Sequence, residues 1–168
     1  MATIYIGIGS NIQRDEHINA GCRSLAAAFS ALRCSAVYES SAVGFDGDPF
    51  YNLVAEAQTV QSVAQVCQTL RAIEFRHGRP ADARKFSSRT LDLDLLAYDA
   101  LCLRDPLVLP REEVLTNAFV LRPFAELSPA YRHPVVGLTL AELWHRFDAT
   151  QQPLRQVDFP WSQERVYV

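Results

Sequence analysis

Arg89-Thr90-Leu91-Asp92-Leu93-Asp94-Leu95-Leu96 is the stretch on which the reading of this chain turns. Side chains alternate across a strand, so Leu91, Leu93 and Leu95 share one face and Asp92 and Asp94 the other. The pattern predicts a strand over residues 91–98, with an apolar face for a core and two carboxylates on its reverse. Those carboxylates start roughly 6.6 Å apart along the backbone. At that spacing they can converge on a pair of metal ions about 3.5–4 Å apart. Hard oxygen ligands suit Mg²⁺, which completes its shell with water and substrate phosphate. An isolated Asp-x-Asp reads first as the wet face of an amphipathic strand, so the surroundings decide.

Immediately before it, residues 76–89 carry Arg76, Arg79, Arg84, Lys85 and Arg89 against a single acid, Asp82. A run of charge is ordinarily a solvated loop. Beside a metal-type carboxylate pair, however, guanidinium forks can clamp polyphosphate oxygens bidentately. Together the two features favour phosphate chemistry. Gly78-Arg79-Pro80 stops a helix predicted over 63–77.

Further out, Thr3-Ile4-Tyr5-Ile6-Gly7-Ile8 alternates and predicts a first strand. A helical face of Ile18, Cys22, Leu25, Ala26 and Phe29 predicts a helix over 16–32. Strands are expected over 34–40 and 51–60, separated by the turn-rich run of residues 44–49. Beyond residue 98 come a hairpin through 101–103, a short strand at 107–109, helices over 116–127 and 138–147, and an irregular tail after Thr150. The order β-α-β-β-α-β, with no repeat and no linker, predicts an α+β chain. It would be an open sheet with helices packed on it, in one domain over 1–168.

Composition narrows the class. With 49% hydrophobic and 21% charged residues the chain is an ordinary globular sequence, which removes disorder and coiled coil. Lys85 is its one lysine and no Gly-Lys-Ser/Thr step exists, so a phosphate-loop NTPase is excluded. A net charge of −3 does not advertise nucleic acid or membrane. Cys22, Cys34, Cys67 and Cys102 show no Cys-x-x-Cys spacing, so buried thiols are expected in preference to zinc or disulfides. No signal peptide and no apolar run of ~20 residues is present, and the expectation is a cytoplasmic monomer.

Phe50-Tyr51-Asn52 is the remaining candidate. An aromatic followed by an amide can stack on a flat heterocycle and read its hydrogen-bonding edge. Phe119 could be the opposite wall, although the residues alone prefer helix packing.

Taken in order, these segments resemble the 6-hydroxymethyl-7,8-dihydropterin pyrophosphokinases of folate biosynthesis. The resemblance runs over about residues 3–135, through Tyr5-Ile6-Gly7-Ile8-Gly9-Ser10-Asn11, Ile73-Glu74, Gly78-Arg79, the Arg89–Asp94 block and Phe119-Val120-Leu121-Arg122-Pro123. It implies a ferredoxin-like fold. It also implies transfer of the β,γ-pyrophosphoryl group of ATP to the pterin hydroxymethyl, giving AMP, with ATP and dihydropterin as the small-molecule partners. By that match Asp92 and Asp94 hold two Mg²⁺ ions, and Arg79 and Arg89 act catalytically on the triphosphate. Glu74, Arg84 and Arg111 join them on the ATP side. Phe50 and Phe119 sandwich the pterin, with Asn52 and backbone near Ser40 and Val43 on its polar edge.

The chain departs from the family pattern on the ATP side, where Arg111 replaces histidine, Asn117 and Ala81 replace arginine and Phe86 replaces tryptophan. Competing readings are a pterin- or nucleotide-binding paralogue without turnover, an RNA-binding module of the same fold, and a metal-dependent glycosyl or nucleotidyl transferase.

Overall fold

The computed structural model describes residues 1–40, 48–78 and 90–161. In chain order its elements are β1 (Ala2–Ser10), α1 (Arg14–Ala28), β2 (Ser30–Cys34), β3 (Val37–Ser40), β4 (Phe50–Thr59) and α2 (Val63–Arg76). These are followed by β5 (Asp92–Tyr98), α3 (Glu113–Thr116), α4 (Ala118–Leu127), α5 (Leu140–Arg146) and β6 (Arg155–Val157).

The described strands form one antiparallel sheet in the order β5-β1-β4-β3-β6, with β2 beside β3 along β4. Each helical crossover skips a strand: α1 carries the chain from β1 past β4, and α2 carries it from β4 past β1. That is the ferredoxin-like arrangement of the expected α+β class. Alternation along β1 explains why both faces are covered. Ile4, Ile6 and Ile8 join Leu53, Ala55, Leu93 and Leu95 in a core under α1 and α2. Tyr5, Val54 and Leu96 join Leu121 and Phe124 in a second core under α4 and α5. Each fully buried isoleucine contributes about 1.5–3 kcal/mol.

Two local devices fix the helices over the first core. Ser62 opens α2 with a reciprocal cap: its hydroxyl accepts from the Gln65 amide at 3.2 Å, and its own amide donates to Gln65 Oε1 at 2.8 Å. In α1, a Cβ on Gly21 would lie 2.9 Å from both terminal carbons of Leu91. Glycine there lets the helix settle against the residue that precedes Asp92.

Several expectations are corrected. The first helix ends at Ala28, because Phe29 turns extended (φ −129, ψ 166) and closes its amide on Leu25 O. The expected strand 34–40 is two strands, broken at Ser35-Ala36. There the Ser35 hydroxyl accepts the Val54 amide at 3.0 Å in place of a backbone carbonyl. Residues 103 and 109 form a single antiparallel bridge, not a strand. The helix expected over 116–127 is interrupted at Asn117, whose backbone is extended (φ −116, ψ 118). The tail is not irregular throughout: β6 adds to the β3 edge, and Phe159 is buried in the first core.

Candidate active site

The register of the sheet assembles the candidate residues. Asp92 lies opposite Gly9 and Asp94 opposite Gly7. Gly9 in turn lies opposite Asn52, and Asn52 opposite Tyr38. One row of the sheet therefore reads Asp92, Gly9, Asn52, Tyr38 across four strands. Neighbouring strands are about 4.8 Å apart, so the backbones of Asp92 and Asn52 are separated by roughly 10 Å, with glycine between them. Phe50 is two residues from Asn52 on the same face, and its register partner is Ser40.

Glycine matters at the centre of this row. A Cβ on Gly9 would meet Asn52 Oδ1 at 3.1 Å and Phe50 Cδ1 at 3.7 Å. The absence of a side chain leaves a floor between the carboxylates and the amide. Asn52 is buried and oriented: its Nδ2 donates to Ser40 Oγ at 2.8 Å. Phe119 stands in the first turn of α4, half-buried against the second core on the same side of the sheet. The structure thus brings Asp92, Asp94, Ser40, Phe50 and Asn52 onto one sheet face, with Phe119 on the helix that packs there.

The ends of β1 and β5 are held by side chains that the sequence reading did not single out. Ser10, fully buried, donates its hydroxyl to Thr90 O at 2.5 Å, which ties the end of β1 to the residue before Leu91. Buried Asn11 donates to Asp48 O at 3.0 Å, fixing the chain that leads into Phe50. Glycines at alternate positions in Gly7-Ile8-Gly9 were the readable signal of a cleared sheet face.

Glu74 and Arg111 both bond to the outer edge of β5. The Leu93 amide donates to Glu74 Oε2 at 2.9 Å, so this buried carboxylate grips the strand at the residue between the two aspartates. The Arg111 amide donates to Leu96 O at 2.9 Å farther along. Both residues line a cavity of ≈610 Å³ with Asp94, walled by Leu70, Leu93, Leu95 and Leu107. The Arg111 guanidinium pairs with Glu113 at 3.3 Å. Burial pulls Arg111 downward, but Asp94 first, then Glu113 and Asp92, outweigh it and hold the group above the ordinary arginine value. Arg79, Arg84, Arg89 and Val43, named above, lie outside the described residues, as do Ala81 and Phe86.

The donor set at the carboxylate pair fits Mg²⁺. Among the described residues no group of three or more His, Cys, Asp or Glu could hold a metal ion. Two strand carboxylates with further positions left for water and phosphate are what Mg²⁺ takes in phosphoryl-transfer sites. The described helices include none long and apolar enough to cross a membrane.

Fold and site define a class: an antiparallel α+β sheet with helices over both faces, a carboxylate pair and a buried amide on one of them, and no Gly-Lys-Ser/Thr step. The family model for 7,8-dihydro-6-hydroxymethylpterin-pyrophosphokinase (HPPK) matches residues 5–129, and the chain belongs to that family. The 2-amino-4-hydroxy-6-hydroxymethyldihydropteridine pyrophosphokinase of Synechocystis sp. is 33% identical over 149 residues, covering 86% of this chain and 76% of that protein. The folic acid synthesis protein of Pneumocystis carinii is 32% identical over 147 residues, covering 85% of this chain. This chain spans only 20% of the length of that protein. Among solved structures, wild-type Plasmodium falciparum HPPK-DHPS superposes with TM-score 0.66 at 13% identity, covering 86% of this chain and 44% of that one. At such identity it is the fold that is shared.

Proposed function

We propose that this protein transfers the terminal diphosphoryl group of ATP to 6-hydroxymethyl-7,8-dihydropterin. The pterin hydroxymethyl oxygen attacks the β-phosphorus, the bond from that phosphorus to the α–β bridging oxygen breaks, AMP leaves, and the hydroxyl proton is lost. Family membership supports this reading. So does one observation in particular: the Asp92-Gly9-Asn52 row, which sets a carboxylate pair and an amide reader on one open face roughly 10 Å apart. That span suits a flat bicycle whose side-chain oxygen reaches toward the phosphate end.

In this reading Phe50 and Phe119 stack on the two faces of the pterin. Asn52, held by Ser40, reads its polar edge, with backbone near Val43. Asp92 and Asp94 hold two Mg²⁺ ions, which when bound neutralise charge on the transferred group. The nucleotide lies in the cavity beside Asp94, where the Leu70, Leu95 and Leu107 walls take its base. Arg111, together with Arg79, Arg84 and Arg89, faces the triphosphate. Glu74 acts from beneath by fixing β5. The remaining work is positioning and electrostatics.

Incubation with Mg-ATP and the hydroxymethyl pterin, followed by nucleotide chromatography, tests the proposal. AMP in equal amount to pterin diphosphate is expected. ADP in its place would mean a monophosphoryl kinase, and neither product would leave a binding paralogue.

A further inference from the structure

The helix that carries Phe119 and the strand that carries Ser40 are bolted together by one carboxylate. Glu126 Oε1 accepts the Tyr38 hydroxyl at 2.7 Å, and Oε2 accepts the Ala36 amide at 2.8 Å. Both donors lie on β3 or at its start. Tyr38 and Ser40 share a sheet face by alternation, roughly 6.6 Å apart along the strand. Ser40 is the residue that fixes the Asn52 amide. On the helix side, Phe119, Arg122 and Glu126 stand at i, i+3 and i+7 and form one stripe of α4, about 10.5 Å long. Arg122 completes the contact: its guanidinium carbon lies 5.2 Å from the Tyr38 ring centroid and 5.5 Å from that of Trp144 on α5.

We propose that Glu126, acting through Tyr38 and Ala36, is a positioning residue that sets the width of the pterin slot between Phe119 and the Ser40–Asn52 pair. This rests on the pterin assignment above. Glu126 itself is exposed and stands two helical turns from Phe119, so it acts on the pterin only through the elements it joins. A bidentate carboxylate is suited to the task. It fixes two points of the strand against one point of the helix, so translation and rotation are both restrained.

The test compares wild type with Glu126→Ala and Tyr38→Phe. Separate calorimetric titrations use 6-hydroxymethyl-7,8-dihydropterin and Mg-ATP, with steady-state kinetics and thermal midpoints alongside. Glu126→Ala removes both acceptors and should weaken pterin binding roughly tenfold and raise the pterin KM by a similar factor, with kcat and Mg-ATP affinity unchanged. Tyr38→Phe keeps the Ala36 bond and should lose less, about threefold. The double variant should be no worse than Glu126→Ala alone, because one device has been broken twice. A lowered midpoint with unchanged pterin affinity would overturn the proposal and leave Glu126 as a stability contact, as would an equal loss for both ligands. No pterin binding by wild type would overturn the slot assignment and the proposal with it. Wild-type binding matched by both variants would overturn the positioning role alone.

Discussion

Glu74 on α2 holds the backbone amide of Leu93, and Leu93 is the residue between Asp92 and Asp94. A buried carboxylate is thereby used to fix an outer strand edge that would otherwise present an unpaired N–H at the carboxylate pair. Glu74 thus does a scaffolding task in the wall of the cavity beside Asp94, and this has a direct consequence for mutation.

Glu74→Gln keeps an oxygen acceptor, whereas Glu74→Ala leaves the Leu93 amide buried without one, at a cost of about 1–3 kcal/mol. Gln should retain most of the stability and most of the Mg-ATP affinity, and Ala should lose both. Thermal melts and nucleotide titrations separate the cases. If Gln lost as much nucleotide affinity as Ala, Glu74 would be acting through its charge.

Asp92→Ala and Asp94→Ala should each abolish most turnover while leaving the melt nearly unchanged, because metal charge stabilisation amounts to several kcal/mol. Chelation should reproduce the loss in wild type, and Mg²⁺ should reverse it. Near-normal AMP production by either variant would sink the metal assignment.

Arg111 has two sets of neighbours. Glu113 pairs with it, while Asp94 and Asp92 act on its charge from the site. If the guanidinium serves the triphosphate, Arg111→Ala should cut turnover at least tenfold, about 1.4 kcal/mol in the barrier. Glu113→Gln should then leave the rate intact, because the pair with Glu113 is partly exposed and contributes under about 1 kcal/mol. Unchanged ATP kinetics in Arg111→Ala would reduce it to a strand anchor through its amide.

Periodicity made the β-α-β-β-α-β order legible, because β1, α2 and β5 each carry one clean pattern. Boundaries failed where tertiary hydrogen bonds overrode local pattern. Phe29 and Leu32 continue the apolar spacing of α1, yet the chain is extended there because β4 offers an edge to pair. The short run 155–157 shows no period of its own and becomes a strand only because β3 presents an unpaired edge to it. Among the candidate residues, Asp92 stood out through the alternation of its strand, whereas Phe50 and Asn52 stood out as an aromatic and an amide at the start of the strand expected over 51–60. Gly9 showed only as one of two alternating glycines, and Glu126 not at all, since its part depends on which strand lies opposite its helix. Cys22 and Cys34, expected as separate buried thiols, come within 4.0 Å sulfur to sulfur across α1 and β2, a proximity that spacing in sequence does not reveal.

Gly9→Ala puts that reading to a test in which stability and binding move apart. Alanine in a strand is favoured over glycine by roughly 0.5–1 kcal/mol. The added methyl at 3.1 Å from Asn52 Oδ1 must nevertheless push the amide by a few tenths of an ångström. The melt should be level or slightly raised, pterin affinity about tenfold weaker and Mg-ATP affinity unchanged. Unaltered pterin affinity would mean that the floor over Gly9 is not used.

The tail carries the last prediction. Phe159 is 8% exposed and packs edge-on against Tyr51, at a centroid distance of 6.2 Å, next to Phe50. Phe159→Ala should cost about 3 kcal/mol, a loss an irregular tail would not produce. Arg155, on β6, pairs with Glu39 at 3.2 Å, and Arg14 pairs with the same carboxylate at 3.0 Å. Burial raises the Glu39 carboxyl, but Arg155 and then Arg14 lower it further, and the net position is below the usual glutamate value. A depressed folded value means stability that is present above the unfolded value, near pH 4.3, and lost as pH falls through the lower folded one. Glu39→Gln should therefore be less stable than wild type at pH 7 by under about 1 kcal/mol, with the gap closing below about pH 4. Urea unfolding at pH 7 and pH 3 measures both. A gap that stayed constant into acid would show that the two arginines do not act on Glu39 as charges, and that β6 is held by its backbone pairing with β3 alone.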